Sequence, residues 1–232
     1  MSGVVVRNFK RPDSAIIESL GKSGVATVHE AQGRKGLMAP YMNPIYPGAA
    51  TSGPAVTVLS APGDNWMLHV VVEVCQPGDV VVMAATSGNT DGYFGELLAT
   101  SMALKGVRGL FIDAGCRDVR ELSEMKFPVW SKAVSAQGTV KETVGSVNIP
   151  IVCAGQHVRP GDIVIGDDDG VVIVPSQEAE QAVKSAEERI ARENKTRERL
   201  QNGELGVDIY KMRSRLAEKG LTYVDNIEDL EA

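Results

Sequence analysis

The sequence predicts one α/β domain with helical extensions at both ends, and three observations carry that reading. Short β-branched runs are bounded by glycine and proline turns. Helix-length segments lie between the earlier runs, and strand signals dominate residues 128–175. A long charged segment with one apolar stripe follows them. The 232 residues are 43% hydrophobic, enough for a substantial core, and exclude global disorder.

In chain order, residues 13–33 read as helical, with Asp13 as cap and Gly21 and Gly33 as breaks. Residues 55–60 alternate like a strand. Residues 65–74 read as a helix despite their valines. Pro77-Gly78-Asp79 is a turn, and residues 80–83 form a short buried strand. Residues 95–105 read as a helix, 107–113 as a strand and 118–125 as a short helix. Strand signals follow at 129–134, 145–152, 162–165 and 170–174, the later ones separated by turns at 159–162 and 167–170. Ser176 is placed to cap a charged helix reaching Asn202, and another helix covers 208–219. The whole chain, 1–232, is read as one domain, with 176–232 as a helical extension that makes subunit contacts.

The formal net charge of −6 argues against a nucleic-acid surface, yet leaves room for a local basic pocket. Cys75, Cys116 and Cys153 lack paired spacing and sit in apolar surroundings. They are expected to be buried, reduced thiols in a cytoplasmic chain. No cysteine–histidine cluster points to zinc, no signal-peptide pattern is present, and no apolar run is long enough to span a membrane.

The chemistry-bearing stretch is Gly92-Tyr93-Phe94-Gly95-Glu96, then twenty residues, then Arg117-Asp118. The residues between read as one helix and one strand, which can return Arg117 and Asp118 to Glu96. Helix N-terminal N–H groups near Gly95, Leu97 and Leu98 suit a carboxylate, with the glycines allowing a ligand close to the backbone. Arg117 can fork onto a carboxylate or stabilise an enolate, and Asp118 is a hard oxygen ligand for Mg²⁺ or Mn²⁺. A local ion pair or a helix cap is the plainer reading of the same two residues. Asp113 either joins the site or finishes its strand. In the C-terminal helix, Glu193 falls on the stripe Ala179, Val183, Ala186, Ile190. It either makes a surface salt bridge, with Arg197 as one partner, or reaches a polar site on another subunit. His29, His69 and His157 are scattered and read as structural. Asp167-Asp168-Asp169-Gly170 reads as a hairpin turn rather than a calcium loop, and nothing singles out Lys132 as a Schiff-base lysine.

Gly92-x3-Glu96-x20-Arg117-Asp118 resembles the signature of the divalent-metal-dependent pyruvate aldolases. These act on 4-hydroxy-4-methyl-2-oxoglutarate and 4-carboxy-4-hydroxy-2-oxoadipate, and share a fold with the ribonuclease regulator RraA. The resemblance covers most of the chain, including residues 24–31 and the turns near 160–170. It implies a β/β/α core like the swivelling phosphohistidine domain, and trimers, often paired into hexamers, with active sites between subunits. It implies that Asp118 ligates Mg²⁺ or Mn²⁺ directly, while Glu96, and Glu193 from a neighbouring subunit, hold it through water. Arg117 then contacts the pyruvyl group, amides near Leu97 and Leu98 receive its carboxylate, and Glu30 is a further acidic residue near the site.

The implied reaction is retro-aldol cleavage through a pyruvate enolate, with oxaloacetate decarboxylation through the same enolate. The small oxo acid is the expected partner, with no nucleic acid and no membrane. The alternative from the same fold is a regulator that binds a ribonuclease without catalysis, a branch that departs from the Arg-Asp pair present here. A methyltransferase reading finds no glycine-rich nucleotide loop between a strand and a helix.

Overall fold

The computed structural model describes residues 3–230. It separates into two compact units, one ending at Glu187 and the other beginning at Glu188.

The first unit opens with α1 (Ser14–Ser23) and α2 (Val25–Ala31). Asp13 caps α1 as expected, its Oδ1 accepting from Ala15 N at 2.9 Å. The break falls at Gly24, at φ +78°, and not at Gly21. Gly21 lies inside α1 because a Cβ there would stand 2.4 Å from Ser52 Oγ, so it serves close packing rather than termination.

The strands are β1 (Asn43–Pro44), β2 (Thr51–Ser60), β3 (Val80–Ala85), β4 (Gly92–Phe94), β5 (Leu110–Cys116) and β6 (Val129–Val134), followed by β7 (Ser146–Val147), β8 (Ile151–Cys153), β9 (Gln156–Val158), β10 (Ile163–Asp167) and β11 (Gly170–Val174). The main sheet runs β1-β6-β5-β3-β2-β10-β11, with β4 added to β5 and β7 to β2; β8 and β9 form a separate pair. Pairing is parallel across β2, β3, β5 and β6, and antiparallel toward β10 and β11. The parallel strands are buried on both faces, which is why Val80-Val81-Val82-Met83 is an unbroken apolar run.

Residues 36–44 nearly close this sheet into a barrel. Met38 N donates to Val171 O and Ile173 N to Gly36 O, both at 2.9 Å, covering the β11 edge. A few residues on, β1 pairs with β6 at the opposite edge. Inside, the Phe111 and Trp130 rings stack at 4.8 Å, and Trp130 Nε1 donates to Asp167 O at 2.9 Å.

Helices cover the outside. α3 (Trp66–Val70), α4 (Glu96–Leu104) and α5 (Val119–Glu124) belong to the parallel half, where Leu68, Leu98, Met102 and Leu122 join Val81, Met83 and Ile112 in one apolar cluster. α1, α2 and the start of α6 (Ala179–Gln201) pack on β10 and β11 through Ile17, Leu20, Val28, Ile163, Val172 and Ala182. This is the expected β/β/α layering.

Several boundaries differ from the sequence reading. The strand expected at 145–152 is two, β7 and β8, because Asn148 takes φ +59° and Pro150 follows. The helix expected at 65–74 ends as a 3-10 turn over Val71–Glu73. Ser176 starts a 3-10 turn and does not cap α6 through its side chain. β1, β4 and β9 are too short to give a sequence period.

The second unit holds the rest of α6, then α7 (Gly206–Ile209) and α8 (Arg213–Glu218). These two replace the single helix expected at 208–219, with Lys211 at φ +53° between them. Among its described residues no side chain is buried. Cys75, Cys116 and Cys153 are buried and free. No helix among the described residues is long and apolar enough to cross a membrane.

Candidate active site

β4, α4 and β5 form a strand–helix–strand unit whose strands pair in parallel, Gly92 with Gly115 and Phe94 with Cys116. That pairing is the physical meaning of the twenty-residue spacing. It lays the end of β5 beside the start of α4, and Arg117 N donates to Phe94 O at 2.8 Å.

Asp118 leaves β5 at φ +54°, ψ +40°, in the left-handed region where Asp is among the tolerated non-glycine residues. It occupies the cap position of α5, yet its side chain does not cap that helix. Its Oδ2 accepts instead from Glu96 N, the first N–H of α4, at 3.0 Å. Gly95 makes this possible, since a Cβ there would stand 2.2 Å from Asp118 Oδ2 and 3.1 Å from Arg117 Cγ. Gly92 is likewise needed by the chain itself, because its Cβ would meet Ser135 O at 2.3 Å. The glycines expected to admit a ligand thus admit neighbouring protein atoms. The N–H groups of Leu97 and Leu98, in the first turn, keep no intrahelical acceptor.

Gly95, Leu97, Leu98, Arg117 and Asp118 line one cavity of about 130 Å³, together with Asn65, His69, Tyr93 and Lys141. Arg117 Nε stands 3.8 Å from Asp118 Oδ2, with both side chains partly exposed. Glu96 flanks the cavity through its backbone bond to Asp118, while its Oε1 accepts from Thr100 Oγ1 at 2.9 Å. Asn65 is 8% exposed; its Nδ2 donates to Tyr93 O at 2.8 Å, while its buried Oδ1 has no protein partner. Burial, and then the Lys141 charge, hold the His69 imidazole pKa below its ordinary value, favouring the neutral ring.

Two sequence-named carboxylates have local partners. Glu30, on α2, pairs with Arg34 at 3.0 Å. Glu193, in the second unit, pairs with Arg189 at 2.8 Å rather than with Arg197, whose Nη1 donates to Asn194. Asp113 does not line the cavity. It accepts from Tyr41 OH and Ala154 N, each at 2.9 Å, and pairs with Lys132 at 3.3 Å. Burial of the ring, then the hydrogen bond to Asp113 and its charge, push the Tyr41 pKa up to about 12. Asp167 caps α2 through Val25 N at 2.8 Å and Asp168 accepts from Gly48 N, so the acidic turn is structural.

Sequence reasoning missed Asn65 and Lys141 and gave His69 a structural part. Asn65 and His69 fall in the helix read at 65–74 and Lys141 in no element, and none belongs to a spaced motif, so only the fold brings them to the cavity. A larger hollow of about 520 Å³ lies beside Lys10–Asp13 and the start of α6. Its Arg11 is already paired with Asp79 at 2.7 Å and its Asp13 caps α1, so it lacks a converging polar set.

Among the described residues no three His, Cys, Asp or Glu side chains gather as a metal cage. Asp118, one carboxylate oxygen of which accepts from Glu96 N, is a hard oxygen donor lining the cavity, of the kind that suits Mg²⁺ or Mn²⁺.

The RraA-like family model, described as Aldolase/RraA, matches residues 23–173. A protein of Halalkalibacterium halodurans with the provisional name 4-hydroxy-4-methyl-2-oxoglutarate aldolase is 33% identical over 147 residues, 63% of this chain and 70% of its own. The crystal structure of Streptomyces coelicolor RraAS2, described as an unusual member of the RNase ES inhibitor RraA protein family, superposes with a TM-score of 0.72 at 30% identity. The match covers 82% of this chain and 99% of that one. A Geobacillus kaustophilus structure titled S-adenosylmethionine:2-dimethylmenaquinone methyltransferase gives 0.56 at 26% identity, covering 61% and 86%.

Proposed function

The chain belongs to the Aldolase/RraA family, and from that premise we propose that it is a metal-dependent pyruvate aldolase. It cleaves 4-hydroxy-4-methyl-2-oxoglutarate to two pyruvates, and 4-carboxy-4-hydroxy-2-oxoadipate to pyruvate and oxaloacetate. Oxaloacetate decarboxylation is its second reaction. The observation that carries this reading is the convergence of Arg117, Asp118 and the α4 N-terminus on one cavity that also holds Lys141.

Each group then has a part in the cleavage. The amides of Leu97 and Leu98, at the positive end of the α4 dipole, receive the carboxylate of the pyruvyl half. Arg117 donates to the 2-oxo oxygen. Its bond strengthens as the C4 hydroxyl gives its proton to water, C4 becomes a carbonyl, the C3–C4 bond breaks and the 2-oxo oxygen becomes an enolate. A proton returned to C3 then yields pyruvate. Lys141 neutralises a carboxylate on the departing half. The buried Asn65 Oδ1 is an acceptor for a donor inside the cavity. Asp118 would ligate Mg²⁺ or Mn²⁺ directly, with Glu96 and a partner copy's Glu193 holding it through water; the ion supplies Lewis-acid stabilisation of the enolate charge. Glu30, paired with Arg34, does not line this cavity and is given no part in the cleavage. Subunits associate as trimers or hexamers in this reading.

The test is pyruvate release from both aldol substrates and from oxaloacetate, with and without EDTA. Release should stop with the chelator and return with Mg²⁺ or Mn²⁺. Arg117→Ala and Asp118→Ala should each lower kcat by about 100-fold or more. Full activity after complete metal removal would sink the metal mechanism and revive Lys132, which sits outside this cavity.

A second reading, a regulator that binds a ribonuclease without chemistry, draws on the likeness to the Streptomyces coelicolor protein. Capture of a ribonuclease by a chain that releases no pyruvate would favour it.

A further inference from the structure

Lys141 reaches the cavity on a segment that has little to hold it. Val140, Lys141, Glu142, Thr143 and Val144 are all exposed, so apolar burial does not fix their position. Hydrogen bonds do. Val140 N donates to Gly63 O at 2.9 Å, and Asn65 N donates to Val140 O at 3.1 Å. The rest converge on Asp64, a side chain 1% exposed. Asp64 Oδ2 accepts from Glu142 N at 2.7 Å and from Thr143 N at 2.6 Å, while Oδ1 accepts from Trp66 N at 2.8 Å.

Asp64 therefore joins two cavity walls. Trp66 begins α3, which carries His69 and follows Asn65; Glu142 and Thr143 flank Lys141. Three N–H donors satisfy one buried carboxylate, and among the described residues no cation is bonded to it. Burial alone would push the Asp64 pKa up. The donors, with the nearby Lys141 charge, outweigh that and hold it below the ordinary carboxylate range, so the group stays ionised.

We propose that Asp64 is a positioning residue for substrate recognition: it clamps the Lys141 segment against the Asn65–Trp66 turn, and so sets the end of the cavity that takes the departing half of the substrate. The substrate part rests on the aldolase reading; the clamp does not. Loss of one charge-assisted bond should weaken binding about tenfold or more. Loss of the clamp should therefore appear mainly in KM.

The experiment compares wild type, Asp64→Asn, Lys141→Met and the double variant, by steady-state kinetics on 4-hydroxy-4-methyl-2-oxoglutarate and by amide hydrogen exchange. Asp64→Asn should lose protection at Glu142 and Thr143 and raise KM about tenfold or more, with a smaller change in kcat. In the Lys141→Met background the same substitution should leave KM nearly unchanged, because the clamp acts through Lys141. Asp64→Glu keeps the charge but misplaces it, and should show the same loss of protection if the Asn variant does not fold. Retained protection at Glu142 and Thr143, or an undiminished KM effect without Lys141, would overturn the clamp. A wild-type chain that cleaves neither aldol substrate would instead overturn the aldolase reading and the recognition role with it, while the exchange result still decides the clamp.

Discussion

Asp118 is held at φ +54° with one carboxylate oxygen on Glu96 N, and that geometry depends on Gly95 having no side chain. Gly95→Ala should push the Asp118 carboxylate off its seat. Since misplacement of about 1 Å can cost about 100-fold, pyruvate release should fall to that degree while the melting temperature changes little. A variant with wild-type kcat would mean that Asp118 does not need this seat. Asp64 makes a pH prediction. Its folded pKa is depressed, so its ionised form contributes stability at neutral pH. That contribution is lost as pH falls through the folded value, which lies below the ordinary carboxylate range. Melting curves of Asp64→Asn should therefore be lower at neutral pH and converge on wild type in acid; a gap that widens on acidification would reverse the sign.

At the scale of elements, the barrel interior is closed by β10 approaching the Phe111–Trp130 stack. A Cβ on Gly166 would stand 2.6 Å from Phe111 Cε1 and 2.9 Å from Trp130 Cε2, in a buried setting with little room to yield. Gly166→Ala should cost about 1–3 kcal/mol by overpacking, read as a lower denaturant midpoint at unchanged m-value. The β4–α4–β5 unit was legible because its glycine turn, helix and apolar strand each leave a signal, and their lengths set the spacing between Glu96 and Arg117. The three-residue β4 that makes the return parallel left none. The histidine and lysine at the cavity were illegible for a different reason. Nothing in the periodicity around Lys141 distinguishes it from any exposed cation, and its place comes from hydrogen bonds to Asp64, about eighty positions away in the chain.

At the scale of the molecule, the second unit contains no buried side chain among its described residues. Helices as short as α7 and α8 have little stability of their own. This suits a segment completed by a partner copy, as the aldolase reading requires of Glu193. The Arg189–Glu193 pair is partly exposed and has the weaker charge order for an i,i+4 pair, which as a surface pair contributes about 0.5 kcal/mol. Asp118→Asn and Glu193→Gln should each be nearly inactive alone. Mixed and reassembled, they should regain a measurable fraction of wild-type pyruvate release, because some sites then combine an intact Asp118 with an intact Glu193 from a neighbour. Failure to complement in demonstrably mixed oligomers would place Glu193 outside the active site or in the same copy.

The sequence by itself determined the α/β class, most of the turns, and the grouping of Gly95, Leu97, Leu98, Arg117 and Asp118. These follow from local chain geometry: strand and helix periods, and two segments joined by one helix and one strand. The tertiary structure alone decided that Gly95 makes room for Asp118 rather than for a ligand, that Asp113 and Lys132 pair outside the cavity, and that Asn65, His69 and Lys141 line it. Those outcomes depend on hydrogen bonds and close contacts between residues far apart in the chain, which leave no mark on the pattern of neighbouring residues.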